Sequence, residues 1–262
     1  MVKQRLSTIF VSHGAPSLPF EDVPARAFLT DLGSKYGNFD AVLCISAHWE
    51  TTKPVLNAVE VNETIHDFYG FAPELYQIEY QAEGSPELAK HTQNLLYDAG
   101  ISCDLDFTRG LDHGAWIPML LMYPDRNIPI FQLSIQQSLD PKQHLELGRA
   151  LEPLTDERVL IIGSGGAVHP LGYASLHPDA ITDDWAVKFN EWLKTAINTG
   201  DVESLVSYRD RSPYSERAHP YPDHFMPLLT AMGAAGEGST GTLIHDSWYW
   251  GDLGMGAYEF SV

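Results

Sequence analysis

The chain has 262 residues, 44% of them hydrophobic, with 16 Lys and Arg against 35 Asp and Glu, a formal net charge of −19. That length suits one sizeable core, so a single domain over residues 1–262 is expected. A field this negative repels nucleic-acid backbones and anionic membrane surfaces within a Debye length of ~8 Å, which argues against both as partners. The apolar run LSTIFV near the N-terminus is shorter than the ~7–15 residues of a signal-peptide core. Nothing approaches the ~18 apolar residues of a membrane span, so a cytoplasmic protein is expected.

Apolar runs predict strands over Ser7–Val11, Ala41–Ser46, Tyr76–Tyr80, Ile101–Phe107, Pro129–Ile135, Arg158–Gly163 and Gly241–Trp248. Between them, apolar residues at three- and four-residue spacing predict helices over Pro86–Ala99, Lys142–Leu154, Asp183–Asn198 and Asp223–Met232. Alternation of strand and helix implies an α/β fold with a central, mostly parallel or mixed sheet flanked by helices, the Tyr76 and Gly241 strands being candidates for antiparallel edges. Gly233–Gly241, GAAGEGSTG, reads as a loop. The two cysteines, Cys44 and Cys103, fall in predicted strands and read as buried thiols.

Three predicted strands run into a histidine through Ser or Gly: STIFVSHG ends on His13, VLCISAHWE carries His48, and VLIIGSGGAVH ends on His169. Ligands of open α/β sheets bind beyond the carboxyl ends of parallel strands, so these three can converge there. A lone histidine at such a position is more often a satisfied structural residue. Three at one predicted edge favour a site. HPYPDHFMP adds His224 in the first turn of a predicted helix with Asp223 as its N-cap, where the helix dipole would favour neutral imidazole. RGLDHGAW adds His113 between glycines, with Asp112 as a cap and Trp116 as a candidate apolar wall. His66, His91, His144, His177 and His245 read as structural or exposed.

Other motifs fail on counting. Gly163–Gly166, GSGG, lacks the third glycine of a dinucleotide loop, has no Walker lysine, and has Ile162 where a nucleophile elbow needs glycine. Its glycines read as a turn that aims His169. Neutral imidazoles suit Zn, Fe, Cu or Ni, and four histidines exceed the needs of one open site. Three ligands and one base is the economical reading.

SHGAPS, SAHWE, LDHGAW, GSGGAVH and HPYPDHFMPLL, in this order, resemble the 4,5-DOPA extradiol dioxygenase family. That family is one of the class III extradiol ring-cleaving dioxygenases, related to the β subunit of protocatechuate 4,5-dioxygenase. The resemblance implies that His13, His48 and His224 hold the metal, that His169 is the acid/base residue, and that His113 contacts substrate or dioxygen. The wider superfamily has a glutamate among its ligands where His224 stands here. The implied reaction opens a catechol, DOPA-like, with dioxygen beside one of its hydroxyls to give a muconic semialdehyde. Fe(II) is expected for turnover, and Zn(II), which binds nitrogen donors more tightly but has no redox chemistry, is an expected occupant. The rivals are a zinc hydrolase using the same cluster and a binding protein without turnover. Trp49, Phe68, Tyr69, Trp116 and the Ser247–Trp250 aromatics are candidates to line a planar pocket.

Overall fold

Strict alternation along three apolar strands gives the central sheet two dry faces. A computed structural model describes residues 5–37, 39–172, 177 and 180–262. The strands are β1 Thr8–Ser12, β2 Ala41–Thr51, β3 Val55–Asn57, β4 Asp104–Asp106, β5 Ile130–Gln136, β6 Val159–Gly165, β7 Thr240–His245, β8 Trp248–Tyr249, β9 Leu253–Gly254 and β10 Ala257–Ser261. Eight form one mixed sheet in the order β4-β3-β5-β2-β6-β1-β10-β7, while β8 and β9 pair separately. Its centre, β5-β2-β6-β1, is parallel, and β10 and β7 close one side antiparallel.

Ile9, Val11, Val42, Cys44, Leu160 and Ile162 point to one face, against the Pro24–Lys35 and His113–Met122 helices. Phe10, Leu43, Ile45 and Ile161, their neighbours in sequence, point to the other, under the Pro141–Leu151, Asp184–Asn198 and Met226–Ala234 helices. Both cysteines are buried and free. Among the described residues no helix is long and apolar enough to cross a membrane.

Four expectations need correcting. Tyr76–Tyr80 is no strand: Pro73–Gln77 is a 3-10 helix, and Tyr80 is held by side chains, its N–H donating to Thr64 Oγ1 (2.6 Å) and its hydroxyl to the Tyr123 carbonyl (2.9 Å). The Ile101 strand shrinks to Asp104–Asp106, and the Gly241 run breaks after His245. Asp223 caps no helix; it is itself the first residue of the 3-10 turn Asp223–Phe225 that leads into Met226–Ala234. The helix over Pro24–Lys35 and the strand Ala257–Ser261 had no expectation.

Candidate metal centre

His13 follows directly on β1, and its N–H donates to the Gly165 carbonyl at the end of β6 (3.0 Å). His48 lies in β2 where the register against β5 jumps from Ser46–Ser134 to Glu50–Ile135, leaving Ala47, His48 and Trp49 unmatched on that side. Such a bulge re-aims side chains, and this one turns His48 toward the strand ends. Its backbone is gripped at both ends: His48 N–H donates to Ser46 Oγ (3.2 Å), and Arg109 Nη2 reaches its carbonyl (3.4 Å). Behind it the fully buried Asp112 accepts from Ser46 Oγ (2.6 Å), Gln132 Nε2 (2.9 Å) and Arg109 Nη2 (3.2 Å), and caps the helix that begins at His113. Gly114 lets that helix approach, because a Cβ there would sit 2.4 Å from Ser46 Oγ and 3.0 Å from His48 Cδ2.

Of the glycines of GSGG, Gly166 makes room for His169, a Cβ there falling 3.1 Å from the His169 Cβ, while Gly163 and Gly165 do something else. A Cβ on Gly165 would lie 2.2 Å from the His224 carbonyl oxygen, and one on Gly163 would lie 2.2 Å from that of Pro227. They let β6 and the 3-10 turn press backbone to backbone, and Gly166 N–H then donates to the His224 carbonyl (3.1 Å). His169 is fixed separately, its N–H donating to Ala218 (2.9 Å).

These contacts bring all five predicted histidines to one cavity. The rings of His13, His48 and His224 form a nearly equilateral triangle, with centroids 4.9, 5.1 and 4.9 Å apart. Nε2 of His13 and Nε2 of His48 are 3.0 Å apart. Two imidazoles each ~2.1 Å from one ion and at right angles around it would show that spacing. His169 stacks on His224 at 3.4 Å with a 9° interplanar angle, and His113 lies 3.9 Å from His48. Two separate sets have donor atoms within 4.8 Å of one another, His13 with His48 and His113, and His169 with Asp223 and His224, and they meet where the His224 ring closes on those of His13 and His48.

The ring protons can be assigned from the partners. Ser164 Oγ donates to the Gly114 carbonyl, so at its 3.0 Å contact with His13 Nδ1 it must accept. His13 therefore carries its proton on Nδ1 and turns a lone pair inward from Nε2. Asp67 does the same for His113, accepting from its backbone N–H and from Nδ1, both at 2.9 Å. His224 is 2% exposed and neither ring nitrogen makes a hydrogen bond, although Nδ1 lies 2.8 Å from Asp223 Oδ1. A buried imidazole left so is costly unless an ion takes a lone pair, so the donor set fits a bound cation.

Burial, reinforced by mutual repulsion, favours the neutral form of His13, His48, His169 and His224. His13 and His224 are pulled well below the usual imidazole range by desolvation and then by neighbouring histidines. Burial also draws His48 and His169 down to about 3. The expected helix-dipole cause for His224 is thus replaced by desolvation. Burial would raise Asp67, but the hydrogen bond and charge of His113, then His48, bring it down to about 2. Asp223 goes the other way, raised to about 7 by burial despite the His224 backbone N–H it accepts, with Glu50 adding to the rise.

The cavity is about 610 Å³ and is walled by Phe68, Tyr69, Phe71, Leu171, Trp250 and Leu253 around the histidines and Asp223. Trp116 and Trp49 do not line it. Trp116 is buried in the core with its Nε1 donating to the Ile65 carbonyl, and Trp49 lies under the Arg109 guanidinium at 4.9 Å. Ser164 and Asp67, the residues that set the ring tautomers, had no signal of their own in the sequence. Ser164 lay inside a motif read for its glycines, and Asp67 in a segment without periodicity.

A histidine-lined cavity beyond the carboxyl ends of parallel strands defines a metal-dependent α/β enzyme acting on a small molecule. The chain belongs to the family described as the catalytic LigB subunit of aromatic ring-opening dioxygenase, matched over residues 27–261. It is 48% identical to the 4,5-DOPA dioxygenase extradiol of Beta vulgaris, covering 97% of this chain and 96% of that protein. It is 38% identical to the protein of the same name from Escherichia coli K12, over 89% and 87% of the two chains. A solved structure of an uncharacterized Escherichia coli K12 protein superposes with a TM-score of 0.81 at 33% identity, covering 97% of this chain and 99% of that one. The protein is an extradiol ring-cleaving dioxygenase, which sets aside the zinc-hydrolase and binding-protein readings.

Proposed function

We propose that the chain opens the ring of L-DOPA or a close catechol at a single Fe(II) held by His13, His48 and His224, with His169 as acid/base residue and His113 facing substrate or dioxygen. The observation that carries the ligand set is the near-equilateral imidazole triangle, one corner of which, His224, is buried with neither ring nitrogen in a hydrogen bond and Nδ1 turned to Asp223. His113, by contrast, already has Asp67 on Nδ1. Fe(II) held by the three imidazoles of the triangle would supply redox chemistry, a path for electrons from catechol to dioxygen.

The chain's own part is orientation and proton traffic. Ser164 and Asp67 fix which nitrogens of His13 and His113 face the cavity. His169 enters the reaction neutral, with a lone pair free to accept a hydroxyl proton from the catechol. The anionic ring that results lifts the imidazole's affinity for that proton, and the same nitrogen can return it to the opening product. His113, whose Nδ1 is tied down, presents Nε2 to the cavity as a fixed polar group. Phe68, Phe71 and Trp250 keep bulk water from the ring.

The test is oxygen uptake by Fe(II)-loaded protein on adding L-DOPA. One O2 consumed per L-DOPA with a yellow product supports the reading; turnover that persists without oxygen or with Zn(II) alone overturns it. His224→Ala should lose the bound metal, while His113→Ala should keep it.

A further inference from the structure

Among the described residues lining the cavity, Asp223 is the only carboxylate and there is no Lys or Arg; the rest are histidines, aromatics, aliphatics, Pro16 and glycines. Its Oδ1 is committed to His224, accepting the backbone N–H at 2.7 Å. Oδ2 has no such partner. Glu50 adds a second carboxylate, acting on Asp223 electrostatically and receiving the Tyr221 hydroxyl at 3.1 Å. The other carboxylate of the site, Asp67, is used up by His113. Arg109, whose guanidinium is tied to the site's residues, is turned away, bound to Asp112 and the His48 carbonyl and stacked on Trp49. Among the described lining residues, a side chain carried into this cavity on a catechol ring therefore meets one free carboxylate oxygen and no Lys or Arg.

Resting on the dioxygenase reading above, we propose that the cavity selects catechols whose side chain bears an ammonium group and rejects those whose side chain bears only a carboxylate, and that Asp223 is the residue that discriminates. An ammonium beside Asp223 forms a charge-assisted hydrogen bond in a mostly apolar enclosure, where such a contact is stronger than in water. A carboxylate in its place faces like charge with no Lys or Arg among the described lining residues to offset it, and specificity of this kind comes as much from repulsion as from attraction. L-DOPA carries both groups and falls between the extremes.

The experiment compares dopamine, L-DOPA, 4-ethylcatechol and 3-(3,4-dihydroxyphenyl)propionate at pH 8. With Fe(II)-loaded protein it reads kcat/KM; with Zn(II)-loaded protein, which does not turn over, it reads Kd from tryptophan fluorescence. Dopamine should exceed the propionate by on the order of tenfold in both readouts, with 4-ethylcatechol between them. Asp223→Asn should shrink that ratio to about twofold or less, whatever its effect on absolute rate, and Asp223→Glu should keep it. Equal or reversed preference in the wild-type protein, or a ratio untouched in Asp223→Asn, overturns the proposal. Should Asp223→Asn fail to hold metal, the wild-type ordering still decides. Failure of the iron-loaded protein to open any of the four rings would instead overturn the dioxygenase reading.

Discussion

Gly165→Ala tests whether the strand that carries the GSGG motif is what sets the position of His224. The new Cβ would start 2.2 Å from the His224 carbonyl oxygen and 3.2 Å from Phe10 Cε2, so the side chain cannot escape by turning. Carbon contacts settle at about 3.5 Å, so strand and turn must part by roughly 1 Å. That movement loosens the Gly166 N–H bond to the same carbonyl, 3.1 Å in the native fold, and carries the imidazole away from His13 and His48. Overpacking of this kind costs about 1–3 kcal/mol, and in a chain of this size each kcal/mol lowers Tm by about 2–4 °C. Displacing a site group by about 1 Å costs on the order of 10²-fold in rate. Metal content after Fe(II) or Zn(II) loading, measured by mass spectrometry, should fall well below one equivalent, and kcat/KM for L-DOPA should fall with it. Gly37→Ala, whose Cβ has nothing within 4 Å, is the control and should change neither. A Gly165→Ala protein with full metal and native kcat/KM would refute the claim that this close approach places the ligand.

Two further outcomes follow from the same geometry. Ser164→Ala removes the acceptor that holds the His13 proton on Nδ1 and should weaken metal binding by about 10–100-fold, read by competition with a chromogenic chelator; unchanged affinity would mean the tautomer is set elsewhere. The metal-free protein should lose stability as pH falls below about 6.5. Burial holds His13, His48, His169, His219 and His224 neutral in the fold, so the unfolded chain binds more protons there, giving a slope of about 1.4 kcal/mol per pH unit for each such histidine. For His48, His169 and His219 the loss continues until about pH 3. Asp223, raised to about 7, works in the opposite sense between pH 7 and its unfolded value, but it is one group against five. Urea midpoints of metal-free protein at pH 7.5 and 5.5 measure this, and a higher midpoint at 5.5 would contradict the assignment of buried neutral imidazoles.

His13, His48 and His169 were legible because each stands where a strong local pattern stops, apolar strand, small residues, imidazole, while His113 and His224 were legible beside helix starts. Their convergence required only that the strands be parallel, which the alternation with helices implied. What periodicity could not carry was the support. Asp67 reaches His113 from a loop 46 positions away in sequence, and Ser164 reaches His13 across 151. The bulge at His48 depends on register against β5, a property of the pair of strands and not of either one. Tyr76–Tyr80 misled because β-prone aromatics can be buried without pairing, here by giving their backbone donors to side chains such as Thr64. β3, three residues long, is too short for alternation to register.

The strand β10 joins the sheet against β1, and Ser12 Oγ donates to the Gly256 carbonyl just before it (2.8 Å). The strand end that presents His13 is therefore braced by backbone 244 positions further along the sequence. Without residues 257–261 that edge of β1 would stand unpaired, and His13 would keep its place in the sequence but lose the strand that steadies its neighbour Ser12.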